Sequence, residues 1–293
     1  LEQQDVLRHP RFSPRMTHSG WGIDQFPDTH LNTLAHAGFD AILVFVKGVN
    51  HSTTGFLDFN DLIQRAAAHG LDVYFYSYLH SEKHPDDADA DTFYEQTYGR
   101  LFKECPQAKG IVLVGESCEF PSKDPNTLDG IGADACYQDG IRQMKPRPGW
   151  WPCVDFPQWL ELIKKSVRTH APEADIVFWT YNWGRAPRAD RLRLLRAIPT
   201  DVSLQVTFEM FDTRQRQGVV NSVMDYSITM PGPGPYFVSE AEVARERGIR
   251  LYTMCNTGGC RWDVGTKPYE PVPYQWLRRY HAWFNARDTY VLC

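Results

Sequence analysis

Short apolar runs rich in β-branched residues recur along this chain, and between them apolar residues repeat at helical spacing. Leu31, Leu34 and Ala35 share one face of a predicted helix for which Asp28 offers a cap and Gly38 a left-handed stop. FDAILVFVKG then predicts a strand over 39–47, FNDLIQRAAAHG a helix stopped by Gly70, and LDVYFYSYLH a strand reaching His80. The alternation continues through a helix at 91–105, the strand GIVLVGESCEF at 110–120, a helix at 156–170, the strand DIVFWTYNWG from Asp175 and a helix at 188–198. Over 202–209 the period of two is strict, with Val202, Leu204, Val206 and Phe208 on one face and Ser203, Gln205, Thr207 and Glu209 on the other. In a barrel the polar face would point inward and carry Glu209 towards the mouth. A seventh strand is predicted at 222–227, followed by a helix that Ser239 and Glu242 open as a capping box and Gly248 ends. IRLYTMCNTGG is the eighth strand, and 274–286 the last helix. The first strand, 15–21, is weakly apolar and is recognised mainly from the helix that comes after it.

Eight strands in alternation with helices are the pattern of a (β/α)8 TIM barrel of the α/β class, and 293 residues suit one such domain over 1–293. A doubly wound open sheet is the alternative, but no glycine-rich phosphate fingerprint comes after any strand. Residues 121–154, rich in Pro, Gly, Asp and Asn without a sustained period, read as a long loop over the strand ends. In both architectures ligands bind outside the carboxyl ends of the strands, so the residues there are the candidates for chemistry.

Composition narrows the partners. Hydrophobic residues at 42% and charged residues at 23% are ordinary for a globular protein, and a formal charge of -5 with no basic run argues against nucleic acid and an anionic membrane surface. No apolar run reaches membrane-spanning length. Seven cysteines, an odd number without CxxC spacing, fit free thiols in a reducing, cytoplasmic compartment, although a chain opening at Leu1 is compatible with a removed leader. The 9 Trp, 14 Tyr and 16 Phe favour a carbohydrate partner, whose apolar C–H faces stack on aromatic rings. No pattern specifies an oligomeric state.

A barrel would gather at its mouth His18 and Trp21, Lys47, His80, Glu116, the stretch Trp179, Tyr181, Asn182 and Trp183, then Glu209, Asp212, Asp225, Tyr226, Asn256, Arg261, Trp262 and Asp263. Carboxylates ringed by tryptophan and tyrosine are what sugar hydrolysis needs. Glu116 stands where an apolar strand leaves the core, and desolvation there would keep its carboxyl protonated near neutral pH, so it is the candidate general acid. Glu119 falls on the opposite side if the strand continues and ranks second. The partner carboxylate, base or nucleophile, is expected from Glu209 or Asp225, with Asp212 behind; either could instead pair with Lys47 or Arg261. The aromatic and polar residues of the set would bind substrate. Neither a metal nor another cofactor is expected.

Other chemistries remain in view. A metal-dependent hydrolase would draw on His18, His51, His80 and His84, but the HxH spacing common on the first strand of such barrels is absent. Cys118 could act as a nucleophile with His80 as base, against the plainer reading of a buried inert thiol. A barrel that only binds sugar or a partner protein is the third.

The strand-end pattern resembles the barrel domain of glycoside hydrolases related to the α-glucuronidase and β-N-acetylhexosaminidase families. The resemblance rests on VLVGESCEF, with an acid after the fourth strand, on DIVFWTYNWG followed by VSLQVTFEMFD, and on Trp262 and Asp263 after the eighth strand; it spans most of 15–285. It implies Glu116 as the acid, with Trp179 and Trp262 as pocket walls. Hexosaminidases carry Asp-Glu where this chain has Gly115-Glu116, which departs from the substrate-assisted mechanism and an N-acetyl substrate. The base motifs of the α-glucuronidases have no counterpart here. The expectation is a glycosidase acting on a terminal sugar, an acidic one preferred because Lys47, Arg261 and the histidines would bind a carboxylate.

Overall fold

The computed structural model describes residues 10–18, 25–115, 121–124, 135–138, 141–144, 154–181, 188–222, 230–254 and 273–293. In chain order these form β1 (Met16–His18), α1 (Asp28–His36), β2 (Ala41–Gly48), α2 (Phe59–Ala68) and β3 (Asp72–Ser77). The helix α3 starts as Ala90–Tyr94, passes through a π-helical turn at Glu95–Gly99 and ends as Arg100–Glu104. Next come β4 (Gly110–Val114), α4 (Phe156–His170), β5 (Asp175–Trp179), α5 (Arg188–Leu195), β6 (Ser203–Thr207), α6 (Pro235–Arg247), β7 (Arg250–Met254) and α7 (Pro273–Tyr290). The seven strands pair in parallel and in sequence order, each followed by its helix. This is the (β/α)8 barrel architecture, reached because strands such as β2 and β4 are apolar on both faces and the helices on one.

The seventh place in the sheet differs from the sequence expectation. β6 pairs directly with β7 over Ser203↔Arg250 to Thr207↔Met254, so no strand from 222–227 lies between them. Ser222 instead ends an antiparallel hairpin, Thr213–Arg216 with Val219–Ser222, and 223–229 lie outside the described residues. The segment expected as the eighth strand is therefore the seventh. Leu251, paired with Leu204 on one edge, forms on its other edge an isolated parallel bridge with Leu292, which takes up the eighth place. Arg287 donates to the Arg11 carbonyl at 2.8 Å and Phe284 packs on Phe12 at 5.8 Å, which brings the end of α7 against the segment leading into β1.

Some helix ends follow local chemistry, and two of the expected caps do not. Asp58 caps α2 by accepting from the Asp61 amide at 3.0 Å, and Gly38, Gly70 and Gly248 sit in left-handed conformations past their helices. Asp28, however, is not the cap of α1. Pro27 holds that position without a side-chain bond, and Asp28 in the first turn pairs with Arg65 at 3.0 Å. Nor does Ser239 open α6: the helix begins at Pro235 after Gly234, and Ser239 lies buried inside it, donating to the Tyr236 carbonyl at 3.0 Å. Proline at the first helical position outcompetes a later serine because it needs no amide partner. Within the stretch expected as a loop, 135–138 and 141–144 pair as a short antiparallel hairpin.

Candidate active site

Strand register decides which side chains face the barrel interior. Tyr74 pairs with Leu43 and Gly110, Tyr76 with Phe45 and Val112, Trp179 with Val114 and Gln205, and Tyr252 with Gln205, so these residues share the inner face. The opposite parity packs on the helices, as in Phe75 against Phe59 and Phe102, and Phe208 against Phe237. The polar face of β6 does point inward. Ser203 donates to Asp175 at 2.7 Å, and Thr207 accepts from the Trp179 indole at 3.2 Å.

The interior is closed at one end and opens at the other. At the N-terminal end Asp175 accepts from Ser203 and from the Tyr252 hydroxyl, both at 2.7 Å, with Arg250 3.6 Å away. Burial pushes the phenols of Tyr74 and Tyr252 above their ordinary value, so both stay neutral there. Gly110 fits beneath Tyr74 because a Cβ would meet the Asp175 carbonyl oxygen. An open cavity of about 430 Å³ outside this end, lined by Arg168, Asp201, Arg250 and neighbours, faces away from the strand C-termini. Towards the C-terminal end exposure rises step by step: Leu43 is buried, Phe45 half-buried and Lys47 exposed on β2, while Tyr74, Tyr76, Tyr78 and His80 take the same course on and beyond β3.

That open end carries a continuous band of rings. His18 at the end of β1 lies 5.6 Å from Phe45, Phe45 lies 4.8 Å from Tyr76 and 5.8 Å from Tyr78, and Tyr76 lies 5.4 Å from Tyr78. Tyr76 then meets Trp179 edge-on at 6.4 Å, and Trp179 lies 5.0 Å from Tyr181. Lys47 sits at the register shift between Val46 and Gly48, a bulge of the kind that re-aims side chains beside ligand sites. The loop bearing Tyr78 and His80 is fixed from behind, because the buried Tyr98 hydroxyl bonds Ser77 at 3.2 Å and Ser81 at 3.4 Å. The wall beyond β4 is clamped as well. Asp155 accepts from Ser122 at 2.7 Å and from His84 at 3.1 Å, and Asp124 accepts from the Val154 amide at 2.7 Å.

Of the expected set, His18, Trp179 and Tyr181 belong to this band, the last two buried, while Lys47 and His80 are exposed further along the chain from Phe45 and Tyr78. Glu209 is fully buried just past β6, its carboxylate 3.5 Å from the buried Arg279 of α7, which also donates to the Met230 carbonyl at 2.8 Å. Among the described residues its ion-pair partner is Arg279, and Arg261 lies outside them. Glu116, Glu119, Trp21, Asn182, Trp183, Asp225, Tyr226, Asn256, Arg261, Trp262 and Asp263, with Cys118, lie outside the described residues. Phe45, Tyr76 and Tyr78 were not singled out from sequence, although the period-two tyrosines of VYFYSY carried the signal. Among the described residues no three His, Cys, Asp or Glu side chains stand together as metal ligands would. No described helix is long and apolar enough to cross a membrane.

Fold and mouth together define the class as a (β/α)8 barrel with its open end at the strand C-termini. Among solved structures, a GH10 endoxylanase retrieved from a sugarcane soil metagenome superposes with a TM-score of 0.51 at 8% identity, covering 92% of this chain and 79% of that one. The intracellular xylanase of Thermoanaerobacterium saccharolyticum JW/SL-YS485 gives 0.47 at 11% identity over 91% of this chain and 80% of that one. D-psicose 3-epimerase from Clostridium cellulolyticum H10 gives 0.40 at 12% identity over 95% of this chain and 99% of that one. At such identities the likeness is one of fold alone. No protein-family model matches the sequence, and no curated protein matches it.

Proposed function

We propose that the chain, acting as one domain over 1–293, is a glycoside hydrolase that removes a terminal sugar, an acidic one by preference, through carboxylate acid/base catalysis without a cofactor. The observation that carries this is the band of rings on the inner face at the strand C-termini, half-buried at Phe45, Tyr76 and Tyr78, with the exposed Lys47 and His80 next along the same two segments. Aromatic faces beside cations suit a pyranose with a carboxylate. Glu116 is the general acid in this reading: it has the parity of Val112 and Val114, and the resemblance to the α-glucuronidase and hexosaminidase barrels supports an acid at this point of the chain. Glu119 is the second choice. The partner carboxylate is Asp225 or Glu209, Asp225 first, because a Glu209 drawn onto the ligand would leave the buried Arg279 without that charge. Trp21, Asn182, Trp183, Tyr226, Asn256, Arg261, Trp262 and Asp263 complete the binding wall. The endoxylanase that shares the fold makes sugar chemistry a fitting analogy, and no more than that.

The test is release of chromophore from a panel of aryl glycosides, including glucuronides, N-acetylhexosaminides and sialosides, by wild type and Glu116→Gln in parallel. Turnover by wild type, falling about 10²-fold or more in the variant, is expected for loss of a general acid. Equal turnover by both proteins would remove Glu116 from that role. No turnover on any member would overturn the hydrolase reading and favour a barrel that only binds sugar.

A further inference from the structure

Three inward rings belong to elements other than those that bear the carboxylates proposed for catalysis. Phe45 on β2, with Tyr76 and Tyr78 on and just beyond β3, makes a contiguous cluster with centroid separations of 4.8, 5.8 and 5.4 Å. All three are half-buried, whereas Leu43 and Tyr74 below them in the same two rows are buried. A cluster of rings that is only half-covered on the inner face of a barrel is a floor facing a space. Above it the same two rows continue into Lys47 and His80, both exposed and neither making an ion pair or side-chain hydrogen bond among the described residues. The floor is also held rigid: Tyr76 is braced edge-on by Trp179, and Tyr78 lies between the two serines tied by Tyr98. Rigid rings reduce the ordering cost of binding.

We propose that Phe45, Tyr76 and Tyr78 form the floor of a subsite for a pyranose carrying a carboxylate, with Lys47 as the cation that receives the carboxylate and His18 and His80 at its rim. This rests on the glycosidase reading and deepens it. The sugar that is recognised lies over β1 to β3, and its bond to the rest of the substrate points towards β4 to β7, where the catalytic carboxylates are proposed. The apolar C–H face of the ring stacks on Tyr78 and Tyr76, and the charged substituent is turned outward, where Lys47 and water share it. The floor therefore contributes affinity for any pyranose of the right shape, and Lys47 contributes the preference for an acidic one.

Free monosaccharides bind without turnover, so binding separates from catalysis. The probes are D-glucuronate, D-galacturonate and D-glucose, titrated by saturation-transfer NMR against wild type, Tyr78→Ala, Tyr78→Phe and Lys47→Met. Wild type should prefer one of the uronates to glucose by about tenfold, the scale of a charge-assisted contact. Lys47→Met should lose that preference and keep its affinity for glucose, while Tyr78→Ala should weaken both sugars by about tenfold and Tyr78→Phe should restore them. The subsite is overturned if Tyr78→Ala binds like wild type, or if the uronate preference survives in Lys47→Met. Should Tyr78→Ala not fold, Lys47→Met, an exposed position, decides alone. Turnover of aryl glycosides with no binding of any of the three sugars would sink the subsite and leave the glycosidase reading standing; neither binding nor turnover would sink both.

Discussion

Replacing Gly110 by alanine tests whether the closed end of the barrel is as tightly built as its geometry requires. Gly110 opens β4, the strand that leads towards Glu116, and its Cα faces Tyr74 and Asp175. A Cβ there would run into the Asp175 carbonyl oxygen, with Tyr74 Cε1 at 2.8 Å and Asp175 Cβ at 3.0 Å. Carbon pairs are at rest near 3.5 Å or more, so β4 must retreat from β5 and Tyr74 by roughly 0.5–1 Å. The adjacent ladder bond from the Asp175 amide to the Lys109 carbonyl is 3.0 Å long, and such a retreat takes it beyond hydrogen-bond range. Overpacking costs about 1–3 kcal/mol and a buried backbone pair left unmade about 1–3 kcal/mol. The smaller entropy of an unfolded chain with alanine returns about 0.4–1 kcal/mol. The net expectation is a loss of about 1–5 kcal/mol, read as a lower urea midpoint with an unchanged slope. Gly48→Ala is the control, because its Cβ would have only His51 Cβ for company, at 3.9 Å, and should cost less than about 0.5 kcal/mol. A Gly110→Ala midpoint equal to that of Gly48→Ala would refute the account of the barrel floor.

Two further expectations rest on buried polar groups. Burial pushes the Glu240 carboxyl up from its ordinary 4.5 to about 7, against the opposing pull of Arg191, with which it forms an ion pair between α5 and α6. Because the folded pKa is raised, its contribution to stability is complete below about pH 4.5 and is lost as pH rises through about 7, a change on the order of 3 kcal/mol. Glu240→Gln should flatten that part of a pH series of thermal or urea unfolding, and an unaltered slope between pH 5 and 8 would contradict it. Tyr98→Phe removes the hydroxyl shared by Ser77 and Ser81 and should cost about 1–2 kcal/mol while raising KM more than it lowers kcat on any glycoside turned over, since it loosens the segment that bears Tyr78 and His80. A loss confined to kcat would argue against that positioning role.

Most of the barrel was legible in the chain because its units are local. Apolar runs such as AILVFV and GIVLV, with glycine stops between them, announce buried strands and the helices that cover them, and all seven described parallel strands fall within or overlap predicted ones. The period of two in β6 even assigned its inner face, since alternation is fixed by backbone geometry. What the chain did not disclose were the facts that depend on pairing between distant segments. The stretch at 222–227 has strand-like residues, yet the edge of β6 is taken by β7, and which edge a strand finds is settled by competition across the whole sheet. Ser239 has the local chemistry of a cap, but Pro235 starts the helix earlier and tertiary packing buries the serine. Glu209 has the parity of an inward residue, but the turn at its own position and Arg279, far along the chain, draw its charge into the wall. The aromatic floor lay in plain view as VYFYSY and VFVK, but only the register of β2 against β3, which sequence periodicity leaves free to slide, sets Phe45 beside Tyr76 and makes separate rings into one surface.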